Sequence, residues 1–287
     1  MNVAFEIVLS NEELIEIKKD IYDVINEKAI EDTLINNYYL LNIDSFKILT
    51  LKNQKGYFQR IHYKTENKIS PKDSRQSAFM HSLESQNILL NVCLGQAGTG
   101  KTTLAASYAL DEFSKNNKKI FFSKTAITVG RGRAFGPVPG DVNQKYAPYL
   151  DSFKIVLKKI LGGRSTSYIE AMLSCGNFNF QAIEFVRGNT YENCTFILDE
   201  VQNLTWHELK TVISRMGEGS KLILIGDPSQ RDLPFNKERN GLDVLINSQE
   251  FKNSPYTSIV ELQKQYRSPL ANLIYNIDLN EKRKNKK

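Results

Sequence analysis

Short apolar runs alternate with helical patterns along the chain after residue 76. The runs are rich in β-branched and aromatic residues and span 87–95, 118–123, 194–200, 221–227 and 257–263. A nearly continuous apolar run is typical of a strand that is buried on both faces of a parallel sheet. The segment 102–113, between the first two runs, has a helical pattern instead. This alternation predicts an α/β domain whose parallel sheet carries helices on both faces.

The first 76 residues have a different pattern, which predicts a small N-terminal α+β segment. Residues 3–9 predict a short strand, and the apolar residues of 11–31 recur at helical spacing and predict a helix. From 37 to 63 the chain is aromatic and β-branched around a turn, which predicts a β-meander, and the polar segment 65–76 predicts a linker. We therefore expect four parts: a strand-helix segment at 1–33, the meander at 34–70, the α/β core at 71–280 and a basic tail at 281–287.

Composition narrows the class of protein. A chain of 287 residues, of which 41% are hydrophobic, can bury a sizeable core. It has no run of about 20 apolar residues and no signal-peptide pattern at its start, so we expect a cytoplasmic protein without a membrane partner. Cys93, Cys175 and Cys194 lack metal-ligand spacing and predict reduced thiols.

The positive charge does not by itself indicate a nucleic-acid partner. The formal net charge is +6, but the tail 281–287 alone holds five basic residues and one acidic residue. A charge run at a terminus is typical of a solvated tail, although such tails can also contact phosphate backbones. The net charge therefore does not identify a partner, and the sequence motifs must do so.

The segment 95–102 predicts a phosphate-binding loop. It reads Gly-Gln-Ala-Gly-Thr-Gly-Lys-Thr and fits the pattern G-x-x-x-x-G-K-[ST] between a buried strand and a helix. Glycines let backbone N–H groups turn toward a β-phosphate, Lys101 can reach the β- and γ-phosphates, and the Thr102 hydroxyl can ligate Mg²⁺. These residues predict a P-loop NTPase core of the RecA-like type. The predicted ATP-binding residues are Gly95, Gln96, Ala97, Gly98, Thr99, Gly100, Lys101, Thr102 and Thr103.

Two later strands end in residues that suit nucleotide hydrolysis. The run at 194–200 delivers Asp199, predicted to hold Mg²⁺, and Glu200, predicted to orient or deprotonate the attacking water. The run at 221–227 leads into Gly-Asp-Pro-Ser-Gln, in which Gln230 can sense the γ-phosphate or its water. Because parallel strands place their carboxyl ends at one edge of a sheet, we expect these side chains beside the P-loop.

Together these motifs resemble the nucleotide-binding core of superfamily 1 helicases and, more closely, the PhoH family of ATPases. The stretches 135–153, 184–203 and 226–245 are similar to family segments, and the resemblance covers about residues 34–280. It implies an ATPase that uses ATP and Mg²⁺. In Gln-Tyr-Arg-Ser, at 265–268, it makes Arg267 the arginine that touches the γ-phosphate. It also makes Gln76 the glutamine that contacts adenine.

The resemblance further implies RNA or single-stranded DNA as a partner. The segment after the second strand would contact the sugar-phosphate backbone through Ser123, Thr125, Arg131 and Arg133, with Phe135 stacking on a base. The arginines could equally reach a neighbouring subunit, and Arg187 has the same two interpretations. Family members are thought to form hexameric rings, so we expect a homo-oligomer. We expect neither a PIN nuclease nor a second RecA-like domain, so helicase activity is expected only from an oligomer.

Two other functions remain open. A small-molecule or nucleotide kinase would use the same P-loop but would not need Asp-Glu-Val-Gln followed by Gly-Asp-Pro-Ser-Gln. An ATP-dependent assembly module would bind ATP to order a ring, without coupling to nucleic acid. A GTP switch protein is disfavoured because the sequence has no Asn-Lys-x-Asp guanine motif.

Overall fold

The computed structural model describes most of the α/β core and part of the N-terminal segment. The described residues are 5–9, 15–18, 21–24, 33–43, 46–63, 69–125, 142–162, 165–231, 239–266 and 273.

The core is a six-stranded sheet in which every pair of neighbouring strands is parallel. Its strands, in chain order, are β7 (Leu90–Gly95), β8 (Lys119–Lys124), β9 (Phe178–Phe180), β10 (Cys194–Asp199), β11 (Lys221–Gly226) and β12 (Thr257–Leu262). Across the sheet the order is β12-β7-β11-β10-β8-β9. The five apolar runs are therefore confirmed as strands, whereas the short edge strand β9 lacks a long apolar run and escaped prediction.

Helices cover both faces of this sheet, as predicted. They are α1 (Ser74–Glu84), α2 (Lys101–Asn116), α3 (Val142–Leu161), α4 (Ser165–Ser174), α5 (Trp206–Ile213), α6 (Gly241–Asn247) and α7 (Gln249–Asn253). Helices α1 to α4 pack on the face that carries Cys93, Ile197 and Ile223. Helices α5 to α7 pack on the opposite face, against Val92 and Phe196. The sheet is thus buried on both sides, which explains why its strands read as continuous apolar runs.

A second six-stranded sheet precedes the core. Its strands are β1 (Glu6–Leu9), β2 (Ile15–Lys18), β3 (Ile21–Val24), β4 (Asn37–Ile43), β5 (Phe46–Lys52) and β6 (Phe58–Arg60). They are ordered β1-β4-β5-β6-β3-β2. Strands β4, β5 and β6 form an antiparallel meander, in agreement with the sequence, and β1 lies parallel to β4.

The helix predicted for 11–31 is wrong where the structure describes that segment. Residues Ile15–Lys18 and Ile21–Val24 are antiparallel strands instead. The isoleucines fit helical spacing, but Ile-Glu-Ile-Lys also alternates with period two, and β-branched residues favour strands. Pairing with β6 through Ile21 and Tyr22 gives these strands a partner that local spacing does not reveal.

The N-terminal sheet contacts the core along β12 and α1. The Ile259 N–H donates to Asn37 Oδ1 at 3.3 Å, and Tyr38 Oη lies 2.7 Å from His81 Nδ1. The predicted linker 65–76 overlaps the first residues of α1, which begins at Ser74 behind the N-cap Asp73. The predicted boundary at residue 70 remains a prediction.

Two further expectations concern membranes and thiols. Within the described part of the chain, no helix combines the length and apolarity that crossing a membrane requires. All three cysteines are free; Cys93 and Cys194 are buried and Cys175 is exposed.

Candidate nucleotide-binding site

The loop after β7 curls around the start of α2 in the manner predicted for a phosphate-binding loop. Gly95, Gly98 and Gly100 all have positive φ angles, of 142°, 88° and 96°. At Gly95 an added Cβ would lie 2.3 Å from the carbonyl oxygen of Leu262 in β12. Glycine is therefore required at 95 both by backbone conformation and by the close approach of the neighbouring strand.

Gly95→Ala is expected to lower the free energy of unfolding by about 2 to 3 kcal/mol, because it adds overpacking to an unfavourable φ. Urea unfolding measures the loss. The matched variant is Gly176→Ala, at a φ of 68° with nothing within 4 Å of the added Cβ. It should cost only about 1 kcal/mol. Equal losses of unfolding free energy in the two variants would show that the close approach of the Leu262 carbonyl does not contribute.

Lys101 folds back over the P-loop. Its Nζ donates to the carbonyl oxygens of Gly95 at 2.5 Å and Gln96 at 2.9 Å. Lys101 is also the first residue of α2, so its ammonium lies where the positive end of the helix dipole and the loop N–H groups meet. This concentration of positive charge suits a polyphosphate.

Gln76 supports the loop from α1. Its Nε2 donates to the Thr99 carbonyl at 2.9 Å, and its Oε1 accepts from the Lys72 N–H at 2.8 Å. The side chain is buried but still lines the cleft. Gln76 thus holds the P-loop through a hydrogen bond that was not predicted from the sequence. Its contact with adenine remains a proposal.

Asp199 lies at the end of β10, beside the P-loop. The Thr102 hydroxyl donates to Asp199 Oδ2 at 3.4 Å. Burial, followed by the charge of Glu200, raises the pKa of Asp199 to about 6. Nearby, Asp227 Oδ2 is buried with no hydrogen-bond partner among the described residues. A hydroxyl and two carboxylates, one of which has an oxygen without a hydrogen-bond partner in the described part of the chain, are a donor set that suits Mg²⁺, so the residues present fit the predicted metal.

Glu200 is held in an unusual backbone conformation at the mouth of the cleft. Its φ is 61°, in the left-handed region, and its N–H donates to Asp199 Oδ1 at 2.9 Å. Its carboxylate accepts from Gln202 Nε2 at 2.7 Å. A non-glycine residue with positive φ is uncommon and is found preferentially at functional sites.

Gln202 joins the acidic motif to the loop after β11. Its Nε2 also donates to the Gln230 carbonyl at 3.1 Å, and its Oε1 accepts from the Asp227 N–H at 3.0 Å. The side chain is fully buried, so these contacts fix Glu200 relative to the loop that carries Gln230. Gln202 is a site residue that was not predicted, although its place in Asp-Glu-Val-Gln was a usable signal.

The segment after β12 packs directly on the P-loop. The Tyr266 N–H donates to the Gly98 carbonyl at 2.9 Å, and its hydroxyl donates to Asp73 Oδ2 at 2.6 Å. Gln265 Nε2 donates to Gln96 Oε1 at 2.7 Å. Arg267 follows immediately in the chain and lies outside the described residues, so its predicted role remains a prediction. Tyr266 lines the cleft and was not among the predicted site residues.

These elements enclose one cleft of about 440 Å³. The predicted residues that line it are Gln76, Ala97, Gly98, Gly100, Lys101, Thr102, Thr103, Asp199, Glu200 and Gln230, whereas the predicted Gly95, Gln96 and Thr99 do not line it. Its other lining residues are Ile69, Ser70, Lys72, Leu104, Lys124, Val156, Lys159, Gly226, Asp227 and Tyr266. A volume of this size suits a drug-sized ligand such as a nucleotide.

The predicted nucleic-acid contacts are less well placed. Ser123 and Thr125 are buried, with exposures of 0% and 8%, so both are left out of any contact surface. Arg131, Arg133 and Phe135 lie outside the described residues. Arg187 is exposed, and its Nη2 contacts Nε2 of the exposed His207 in the first turn of α5.

Comparison with known proteins identifies the family. A family model described as "PhoH-like protein" matches residues 68–278. The chain belongs to the PhoH-like family. Protein PhoH2 of Bacillus subtilis is 34% identical over 209 residues, which are 71% of this chain and 46% of that protein. The PhoH-like proteins of Synechocystis sp. and Bacillus subtilis are 33% and 32% identical over 61% and 64% of this chain, and 52% and 57% of their own lengths. The predicted resemblance is confirmed.

The PhoH-like chain spans about half the length of the curated relatives it matches. Among solved structures, Pif1 helicase from Bacteroides in complex with ADP-AlF3 and ssDNA is 20% identical, with a TM-score of 0.36 over 73% of this chain and 46% of that one. Pif1 helicase from Candida albicans is 14% identical, with a TM-score of 0.36 over 69% of this chain and 41% of that one.

Proposed function

We propose that this PhoH-like chain binds ATP with Mg²⁺ and hydrolyses it in the cleft, in the cytoplasm. One observation carries the proposal: the P-loop, the Asp199–Glu200 pair and the loop 226–230 line a single cleft. They come from three adjacent strands, β7, β11 and β10, whose carboxyl ends meet at one edge of the sheet. The residues proposed to bind phosphate, hold the metal and activate water would thus all lie close to a single bound polyphosphate.

Each residue of the cleft has its own proposed role in hydrolysis. Lys101 and the loop N–H groups bind the β- and γ-phosphates, and Thr102 and Asp199 hold the metal, which supplies charge neutralisation to the phosphates. Glu200 orients the attacking water and accepts its proton. Gln230 senses the γ-phosphate from the neighbouring loop, and Arg267 stabilises charge on the transferred group.

An assay of phosphate release from ATP separates hydrolysis from the alternative functions. Release of free phosphate from ATP supports the proposal, whereas transfer to an added acceptor without free phosphate favours a kinase. Negligible turnover that Glu200→Gln does not change, together with ATP-dependent oligomers, favours an assembly module.

We extend the proposal to coupling with RNA or single-stranded DNA, through a homo-oligomer that can form a hexameric ring. Arg187 supports this step because it is exposed and its described contact is the His207 ring rather than a carboxylate. An exposed guanidinium of this kind suits a phosphate backbone. Arg131, Arg133 and Phe135 extend the proposed surface on the strength of the family resemblance.

Arg187→Ala is expected to reduce the stimulation of phosphate release by single-stranded nucleic acid. If Arg187 neutralises one phosphate, the slope of log Kobs against log salt should become shallower by about 0.7. Titrations of fluorescent RNA and DNA oligonucleotides measure the slope. Arg60→Ala, at an exposed position of β6, is the control and should change nothing. An unchanged slope combined with loss of oligomers would place Arg187 at a subunit contact instead.

A further inference from the structure

Lys124 lies at the end of β8, next to the two carboxylates of the cleft. In the pairing of β8 with β10, Lys124 is directly opposite Asp199. Residues directly opposite on neighbouring strands project to the same face of a sheet. Lys124 Nζ reaches Glu200 Oε1 at 3.5 Å, and the residue lines the nucleotide cleft.

The carboxylate of Glu200 is therefore held at both oxygens. Gln202 Nε2 donates to Oε2 at 2.7 Å, and Lys124 Nζ lies 3.5 Å from Oε1. The backbone of Glu200 has a φ of 61°, a conformation that is unfavourable for a residue with a Cβ. Two side-chain contacts on one carboxylate fix the direction in which this strained residue points.

The ion pair is poorly suited to a purely stabilising role. The side chains of Lys124 and Glu200 are 25% and 32% exposed, and ion pairs with such access to solvent contribute little to stability. Orientation of a catalytic base, by contrast, is sensitive to small displacements. The Lys124–Glu200 contact therefore suits a role in positioning the Glu200 carboxylate better than a role in stabilising the fold.

The other lysines of the cleft are engaged elsewhere or have no carboxylate contact in the described structure. Lys101 binds the P-loop carbonyls, and Lys72 lies 4.7 Å from the centre of the Tyr266 ring. Among the described residues that line the cleft, Lys124 is the cation paired with a carboxylate.

We propose that Lys124 is a positioning residue for hydrolysis, which holds Glu200 Oε1 so that the carboxylate faces the attacking water. The proposal rests on the ATPase activity proposed above. In this role Lys124 acts through Glu200 and makes no contact with ATP. Its removal should lower the rate of the chemical step and leave nucleotide affinity unchanged.

The test compares Lys124→Met, Lys124→Gln and Lys124→Arg in the full chain. For the Met and Gln variants we expect kcat for phosphate release to fall about 10- to 100-fold. The KM for ATP, and the Kd of a non-hydrolysable ATP analogue, should stay within about twofold of wild type. Lys124→Arg, which keeps the positive charge, should recover most of the rate. The matched control is Lys118→Met, because Lys118 is 22% exposed and pairs with Glu112 at 2.9 Å, away from the cleft.

A double variant tests whether Lys124 acts through Glu200. In a Glu200→Gln background, Lys124→Met should cause no further loss of the residual rate, since the group that it positions is gone. A further loss of the same size would overturn the proposal. So would an analogue Kd that rises in parallel with the fall in kcat, which would show that Lys124 binds the γ-phosphate directly.

Failure of the wider proposal looks different. A wild-type chain that binds the analogue but releases no phosphate overturns the ATPase activity and this inference together. A wild-type chain that hydrolyses ATP, with unchanged kcat in both Lys124→Met and Lys124→Gln, overturns this inference alone.

Discussion

Glu200→Gln is expected to lower kcat for ATP hydrolysis by about 10²- to 10⁴-fold while ATP still binds. A glutamine keeps the size of the side chain and can accept a hydrogen bond, but it cannot take the proton of the attacking water. The P-loop contacts of Lys101 do not involve Glu200, so the affinity for nucleotide should be nearly unchanged. The loss therefore falls on the chemical step.

Single-turnover phosphate release and equilibrium binding of a fluorescent ATP analogue measure the two quantities separately. Glu192→Gln is the matched control, because Glu192 is exposed and lies outside the cleft. A Glu200→Gln variant that retains full activity would contradict the role of Glu200 as the base. A variant that fails to bind nucleotide would show that Glu200 is needed for the site to form.

Lys101→Ala should weaken ATP binding and nearly abolish hydrolysis. The substitution removes a charge-assisted hydrogen-bond donor that contributes about 1.5 to 3 kcal/mol, which corresponds to about a 10- to 100-fold rise in Kd. It also removes a cation from the developing charge on the phosphates, at a cost of about 10²- to 10³-fold in rate. Both the binding and the chemical parameters should change, unlike in Glu200→Gln.

Lys115→Ala is the control for Lys101→Ala on the same helix. Lys115 lies in the last turn of α2, with its side chain 59% exposed and 3.8 Å from Asp111. Its loss should leave both binding and hydrolysis at wild-type values. Wild-type binding in Lys101→Ala would contradict the placement of the triphosphate at the P-loop.

Much of the core could be predicted from the sequence, because its signals are local. The strand β10 reads as an apolar run ending at Asp199, and parallel topology places that end beside the P-loop without further information. Helix α5 has a local signal of the same kind, since Thr205 and Glu208 form a reciprocal capping box. Local signals such as hydrophobic period, caps and motifs therefore indicate both the elements and the residues at their ends.

The errors and omissions arise where distant contacts decide the structure. The strand Ile21–Val24 pairs with β6, almost 40 residues later, and this partner overrides a helical spacing of isoleucines. Gln202 and Tyr266 enter the site through hydrogen bonds to Asp227 and Asp73, which no sequence period reveals. The burial of Ser123 follows from its position in β8, within a sheet covered on both faces.

The most direct measurement is phosphate release from ATP by the wild-type chain in the presence of Mg²⁺, alongside Lys101→Ala and a sample in which EDTA removes the metal. We expect steady release by the wild type, and loss of release both in the variant and after chelation. Release that persists equally in Lys101→Ala would contradict the assignment of hydrolysis to this cleft. No release by a wild-type chain that binds ATP would contradict the ATPase itself.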